Sequence, residues 1–549
     1  MSSKVLKVHP ADNIVVALQS LSAGETILLD GQALVLKTEV AEKHKFAARD
    51  LLAGDEVVMY GTVVGIASQD IARGSAIATA NVRHIASDFR ARRAATRWTP
   101  PDVQQWQQAT FPGYHRSDGQ VGTGNYWLVI PLVFCENRNV EVLREAFGRE
   151  LGYARPDIYD GLVAEMAELY RQGKSLEAVA KRPLAAPQPG KQRRLFKHVD
   201  GIKFLTHEGG CGGTREDAHA LCALFAGTLN NPNVAGATVL SLGCQNAQVE
   251  ILRAEIQKRN ATFDKPVLIF EQQQYRSERD MVCQAIKDTF VALANADRLR
   301  RAPAPLSKLT VGVECGASDG FSGLSANPAI GHVSDLIVAL GGKVILSEFP
   351  ELSGVEQALI NRCRDDATAD KFVRLMQRYA ARAEAVGSGF DMNPSPGNIK
   401  EGLITDAMKS AGAAKKGGTS PVNAVLAYPE YAVQAGLNLL CTPGNDVEST
   451  TGLAGAGANL ILFSTGLGTP TGNPVTPVIK ISSNTPLAQN MPDLIDIDSG
   501  GIITGQETIP QVAEMILHTI IRVASGEMLT KAQQLGQDDF IPWKQGISL

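Results

Sequence analysis

The sequence predicts an α/β protein, with a small β-rich N-terminal module followed by two α/β layered domains with largely parallel sheets. Three observations predict it. Residues 1–90 carry short alternating apolar runs (TILL, LVLKTEV, EVVMYGTVVGIA) split by turns such as SAGE and LAGDE. From Gly113 onward, strand-like runs alternate with helical segments, the pattern of a parallel sheet with crossover helices. The 549 residues exceed the ~250–300 that one hydrophobic core supports.

In chain order, residues 91–112 are polar, Arg-rich and interrupted by prolines, and read as a linker. A central domain is expected over 113–304. There WLVIPLVF precedes NVEVLREAFGREL, GIKFLTH precedes EDAHALCALFAGTL, ATVLSLGC precedes AQVEILRAEIQKR, and KPVLIFEQQ precedes a long helical segment. The stretch RAPAPLSK marks the next boundary, and 305–549 reads as a second α/β domain built on LTVGVEC, SDLIVALGG, KVILSEF, NLLCTPG, NLILFSTG and PVIKISS.

Composition narrows the function. A net charge of −4 without a basic stripe argues against nucleic acid or an anionic membrane as partner. The N-terminus lacks a signal-peptide core, and no run of ~18 apolar residues occurs, so a cytoplasmic chain is expected. Eight cysteines spread over the chain are too sparse for a disulfide scaffold, leaving core residues, metal ligands or nucleophiles.

Open α/β sheets bind ligands at the carboxyl ends of their strands, and several strands here end in unusual turns. KFLTHEGGCGGT carries His207 and Cys211. VLSLGCQNAQ carries Cys244, Gln245 and Asn246. TVGVECGASDGFSGLSANPA carries Glu314, Cys315, Ser318, Asp319, Ser322 and Asn327. NLLCTPGNDVESTT carries Cys441, Asn445, Asp446, Glu448 and Ser449, and the Gly- and Thr-rich run after LILFSTG leads to Lys480. One buried cysteine at a strand end is ordinary packing. Several together, each beside glycine and a small polar residue, suggest metal or nucleophilic chemistry on a site assembled from distant segments. The N-terminal module adds HPADN (His9, Asp12, Asn13) and KHK (His44, Lys45), which also suit a surface or packing role.

These motifs carry a resemblance over essentially the whole chain. GYHRSDGQVGTGNYWLVIP, HEGGCG, LGCQNAQ, ECGASDGFSGLSANPAIG, NPSPGN, PGND and GLGTPTG, in that order, resemble the altronate and galactarate dehydratase family. GLNLLCTPGND and DDFIPWKQGISL look closer to its altronate members. The N-terminal module resembles the SAF domain that begins such proteins. Three positions depart from the family pattern. Gly124 stands where many relatives carry a cation, Ala317 where many carry glycine, and Cys441 where some carry serine or alanine.

The resemblance implies a hydro-lyase taking D-altronate to 2-dehydro-3-deoxy-D-gluconate and water, by C2 proton abstraction and loss of the C3 hydroxyl. It implies Fe(II) on His207, Cys211, Cys244 and Cys315, with Mn, Mg or an iron–sulfur cluster as alternatives. Oxygen ligands from Asp319, Asp446 or Glu448 are the competing arrangement. His9, His44, Lys480 and Asp319 become candidate acid, base or clamping groups. Asp12, Asn13, Lys45, Asn125, Ser318, Asn327, Asn445 and Thr469 become candidate substrate contacts. Galactarate dehydratase and a sulfolactate sulfo-lyase-like lyase are the nearest other activities. A non-catalytic sugar-acid binder and an iron–sulfur electron carrier are more distant ones. A homodimer is the expected assembly.

Overall fold

A computed structural model describes residues 4–85, 89–92, 97–154, 158–183 and 194–548. The N-terminal module is antiparallel. A four-stranded sheet runs in the order Val5–Leu6, Ile14–Ala17, Lys45–Ala47, Ala76–Ile77, beside the hairpin Thr26–Leu29/Gln32–Val35 and a three-stranded sheet. Alternation puts Val15, Ala17, Phe46 and Leu34 into one small core.

The central domain holds four parallel strands in the order Gly201–Phe204, Tyr126–Pro131, Val234–Ser241, Val267–Glu271. Tyr126–Pro131 is buried along its whole length, as a parallel strand covered on both faces must be. The helix Asn137–Leu151 lays Val140, Leu143, Phe147 and Leu151 against the sheet at helical spacing.

The C-terminal domain holds seven parallel strands in the order Val422–Leu426, Gly436–Leu440, Lys343–Leu346, Thr310–Gly316, Leu460–Thr465, Val478–Ser482, Ile497–Asp498. The chain leaves Thr310–Gly316 through the helix Ala326–Ala339 to one side, and leaves Leu460–Thr465 toward the other. The carboxyl ends of these two neighbours are therefore a topological switch point, where such sheets open a crevice.

The expected polar linker is more ordered than its composition suggests. Trp106 and Phe111 are buried, and Thr110–His115 pairs antiparallel with Val121–Gly122 and with Ala302–Pro305. The two segments read as boundaries pair with each other, and this small sheet ties the domains together. No described helix is long and apolar enough to cross a membrane.

The N-terminal module seats on the segment 400–406 of the C-terminal domain. Lys43 pairs with Glu401 at 2.7 Å and Asp319 at 3.1 Å, and His44 Nε2 meets the Lys400 carbonyl at 3.0 Å. Lys45 donates to the Gly402 carbonyl at 2.7 Å, and Thr405 donates to the Val64 carbonyl. His84 pairs with Asp406. Lys45 is fully buried, and burial pulls its ammonium down to about 7 despite Asp319. The unfolded chain thus binds this proton more tightly between about pH 7 and the ordinary lysine value, so the penalty is full below about 7 and fades as pH rises. A Lys45→Met variant should therefore show its largest gain in Tm over the wild type at pH 6–7, shrinking toward pH 10. A difference in Tm that does not change with pH would contradict this.

Candidate active site

Strand ends of the C-terminal sheet converge on one buried cluster of charged groups. Thr310–Gly316 delivers Glu314 and Cys315, while Lys343–Leu346 leads into Ser347, Glu348 and Glu351. The turn after Gly436–Leu440 brings Asp446, and the segment 406–417 supplies Lys409 and Lys416. Lys416 Nζ lies 2.7 Å from Cys315 Sγ and 2.8 Å from Glu348 Oε2. Cys315 Sγ donates to Glu351 Oε2 at 3.2 Å. Lys409 Nζ donates to Glu351 Oε1 at 2.6 Å and Asn393 Oδ1 at 2.8 Å. Ser347 and Ser449 each donate to Glu314 Oε2 at 2.7 Å. Glu314 Oε1 and Glu348 Oε1 are buried without a hydrogen-bond partner.

The backbone is bent to make this possible. Ala317 (φ 48°) and Glu348 (φ 65°) both adopt left-handed conformations beside the cluster, which non-glycine residues rarely do. Gly316 has no side chain for a related reason, since a Cβ there would lie 2.1 Å from Asp446 Oδ2.

Burial and crowding set the protonation states. Burial, then Glu348, pushes the Glu314 carboxyl well above its usual range, and burial with Glu351 raises Glu348. Burial would also raise Glu351, but Lys409 and Lys416 outweigh it and hold that carboxyl low. The Cys315 thiol is pushed well up by burial and by Glu351. Burial disfavours charge on Lys416, yet Cys315, Glu348 and Glu351 hold it protonated. Asp446 is pushed up to about 7 by burial and by Glu348 and Glu351, and its carboxylate makes no hydrogen bond among the described residues. A half-buried carboxylate with that value is poised as a general base near neutral pH.

A cavity of about 760 Å³ lies between the central and C-terminal domains, with Glu448, two residues from Asp446, on its wall. His207, Cys211 and Asn246 line it from the central domain, Tyr428 and Glu448 from the C-terminal one, and Trp543 from the final segment. Asp446 and Glu448 occupy the first turn of one helix, so that turn belongs to both cluster and cavity. Cation or anion chemistry there also feels the N-terminal end of the helix Asp446–Gly455.

The expected ligand set does not assemble. Cys315 is buried in the C-terminal sheet, whereas Cys211 and Cys244 are exposed on central-domain loops. His207 uses both ring nitrogens, with Nε2 on the Pro131 carbonyl at 2.6 Å and Nδ1 accepting from Gly209 at 2.9 Å. It packs on Phe225, and burial lowers it to about 4. Both contacts hold the HEGGCG turn against the strand end at Pro131. Among the described residues, the one group of three His, Cys, Asp or Glu ligands close enough for a metal is Cys315, Glu348 and Glu351, with ligand atoms within 4.8 Å of one another.

Other expected contacts take structural positions. Asp12 accepts from the Gly61 and His9 amides, and Asn13 bridges Val58 and Glu56. Both hold turns of the N-terminal module. His9 is exposed beside Gly61, and His44 and Lys45 meet backbone carbonyls of the C-terminal domain. Asp319 accepts from Ser322, Ser483, Asn484 and Lys43, which fixes the switch-point turn. Asn125 sits at the amino end of its strand, away from any carboxyl-end site, and is held by Arg116, His198 and Ala296. The same turn explains Gly124, where a Cβ would lie 2.5 Å from the Tyr126 ring.

Asn327 accepts from Ser464 and donates to the Gly412 carbonyl, and the Ser318 carbonyl accepts from Asn398. Asn445 caps the helix by accepting from Val447 and Glu448. Thr469 is buried in the Gly- and Thr-rich turn. Lys480 is buried, bonds Gln537, and is lowered to about 8 by burial. Glu348, Glu351, Lys409 and Lys416 were not foreseen, whereas Asn393 belongs to the NPSPGN motif. The strand-end rule that picked Cys315 would have found Glu348 in the run KVILSEFPEL.

The comparisons with known proteins place this geometry in a family. Residues 306–548 match the D-galactarate/Altronate dehydratase C-terminal domain, 113–297 the D-galactarate dehydratase/Altronate hydrolase second domain, and 3–85 the Altronate/galactarate dehydratase SAF domain. The altronate dehydratase of Escherichia coli (strain K12) is 33% identical, over 99% of each chain. The altronate dehydratase of Bacillus subtilis (strain 168) is 31% identical, also over 99% of each. The galactarate dehydratase (L-threo-forming) of Escherichia coli (strain K12) is 30% identical, over 97% of this chain and 94% of its own. Matched domain by domain and along its whole length, the chain belongs to the altronate/galactarate dehydratase family and is a sugar-acid dehydratase.

Proposed function

We propose that the protein dehydrates D-altronate to 2-dehydro-3-deoxy-D-gluconate at the Cys315–Glu348–Glu351 cluster. The observation that carries this reading is a pair of buried lysines beside a carboxylate poised near neutrality. Two altronate dehydratases match over 99% of their length. The final segment, DDFIPWKQGISL, supplies Phe540 and Trp543 to the cavity wall, so the part of the sequence closest to altronate members shapes the space beside the cluster.

The reaction removes a weakly acidic proton next to a carboxylate and builds negative charge on that carboxylate. Lys416 and Lys409 present ammonium groups to the substrate carboxylate and to the charge that develops. Asp446 takes the C2 proton. The same group, now a carboxylic acid, returns the proton to the C3 hydroxyl, which leaves as water. The enol product ketonises to the 2-keto acid. Glu314 holds its proton and adds no further negative charge beneath the site.

The donors fit a divalent metal, Fe(II) first. Cys315 offers a soft sulfur, Glu348 and Glu351 offer carboxylates, and Glu348 Oε1 is buried without a partner. A bound ion would supply further positive charge for the enediolate. Cys315, Glu348 and Glu351 would hold the ion, and Lys416 Nζ, 2.7 Å from the same thiol, would neighbour it.

Two expectations follow. With Fe(II) and reductant under anaerobic conditions, D-altronate should yield 2-keto acid faster than galactarate or sulfolactate. Faster turnover of galactarate, or sulfite release from sulfolactate, would replace the substrate assignment. Cys315→Ser should weaken Fe(II) binding by more than the roughly 10–100-fold cost of losing an outer partner, while Cys211→Ser should leave it near wild type. The reverse order would return the metal to the central domain.

Asp446 gives a pH signature. Because its carboxyl is raised to about 7, kcat/KM should fall below that pH by roughly tenfold per unit. The raised value also means that stability is lost as pH climbs from the ordinary aspartate value through about 7. Asp446→Asn should therefore abolish turnover and raise Tm, with the larger rise at pH 8 than at pH 5. An active variant, or a Tm difference that grows toward acid, would remove Asp446 from the base role.

A further inference from the structure

We infer that the seam between the N-terminal module and the C-terminal domain contains a second, non-catalytic binding site for a small carboxylate with an apolar body. A cavity of about 360 Å³ opens there, bounded by Tyr60 and Thr62 of the module and by His332, Val355, Arg362 and Lys415 of the C-terminal domain. None of these residues belongs to the cluster described above.

The cavity wall carries two cationic side chains, Lys415 and Arg362, against one carboxylate, Asp335. Lys415 makes no ion pair or hydrogen bond among the described residues, and its ammonium lies 4.9 Å from the Tyr60 ring centroid. Asp12 acts on this half-buried ammonium only through space, and with an aromatic face as its one direct contact it is electrostatically incomplete. Arg362 uses Nε and Nη2 on the Ser420 and Gly417 carbonyls, and its Nη1 makes no hydrogen bond among the described residues. His332 adds a third nitrogen-bearing group to the wall. The carboxylate on this wall, Asp335, is already engaged. Its oxygens accept from the Thr419 and Ser420 amides and from the Thr419 hydroxyl, which closes the Gly418 turn. The space therefore favours an anion.

The rest of the lining selects which anion. Leu359, Ala411 and Ile509 contribute apolar surface. A polyol would lose hydrogen bonds to water against such walls without replacing them, whereas a hydrocarbon body gains from burial. The volume also exceeds what an inorganic anion fills. A carboxylate on Lys415 and Arg362, with its apolar end toward Val355, Leu359 and Ile509, satisfies both halves.

The position gives the site a route to the cluster. Lys415 and Lys416 are adjacent in one turn, Ala414–Gly417, and face different sites. That turn is packed without slack on the helix Ala326–Ala339, since a Cβ on Gly331 would lie 2.0 Å from the Lys415 carbonyl oxygen. Ser334 donates to the Lys416 carbonyl at 2.7 Å.

Binding of hexanoate and of benzoate to the full-length protein, measured by calorimetry, tests the inference without reference to turnover. Hexanol and gluconate serve as controls for charge and for the apolar body. Saturable binding of both carboxylates, with neither control competing, is expected. Lys415→Met should weaken it at least tenfold, and Lys415→Arg should retain it. Asp446→Asn should also retain it, which places the ligand outside the catalytic cluster. Equal affinity in the wild type and Lys415→Met, loss in Asp446→Asn, tighter binding of gluconate, or no saturable binding would each overturn the inference.

Discussion

An ammonium at 1% exposure stays charged only if its surroundings are arranged around it, and Lys416 is such a group. Cys315, Glu348 and Glu351 hold its proton, and Lys409 holds Glu351 in turn. The partners come from the ends of two neighbouring strands and from the 406–417 segment. The cluster therefore exists only when the seven-stranded sheet is in register and the 406–417 segment is docked. Left-handed backbone at Glu348 is tolerated because this network fixes it, and at Ala317 because its carbonyl accepts from the Gly466 and Leu467 amides.

The same constraint explains how charge and stability are traded. A buried set of carboxylates would repel itself apart without the two lysines, and the crowding raises the proton affinity of Glu314 and Glu348. Asp446 lies at the rim, with partial access to solvent and no hydrogen bond of its own. It carries the strain of its neighbours as a raised affinity for a proton, which is the property a base at neutral pH needs. The N-terminal module contributes at a distance. Through Lys43 and Lys45 it clamps Glu401, Gly402 and Asp319, and so steadies both the switch-point turn and the chain leading to Lys409.

Much of the architecture was legible because burial writes itself into periodicity. WLVIPLVF is apolar throughout and LTVGVEC nearly so up to Glu314, and both strands are buried along their length. The linker reading underestimated Trp106 and Phe111, because a short antiparallel strand between two domain boundaries has no sequence period of its own. The site was legible only in part. Cys315 stood out as a thiol at a strand end, but Lys416 lies 101 residues further on and nothing local links them. Several polar residues in the conspicuous motifs hold backbone in this structure. Asp12, Asn13, Asn125, His207 and Asp319 all use their side chains to close turns, a role that looks identical in sequence to ligand binding.

The central claim is that one balanced buried network both holds this region together and performs the reaction. A double-mutant cycle on Lys416 and Glu348 tests it most directly, with unfolding free energy and D-altronate turnover measured on each variant. Lys416→Met alone should cost roughly 3–5 kcal/mol, the usual consequence of stranding a buried charge, and should abolish turnover. Adding Glu348→Gln should recover much of the stability and none of the activity. A Lys416→Met protein as stable and as active as the wild type would contradict the account.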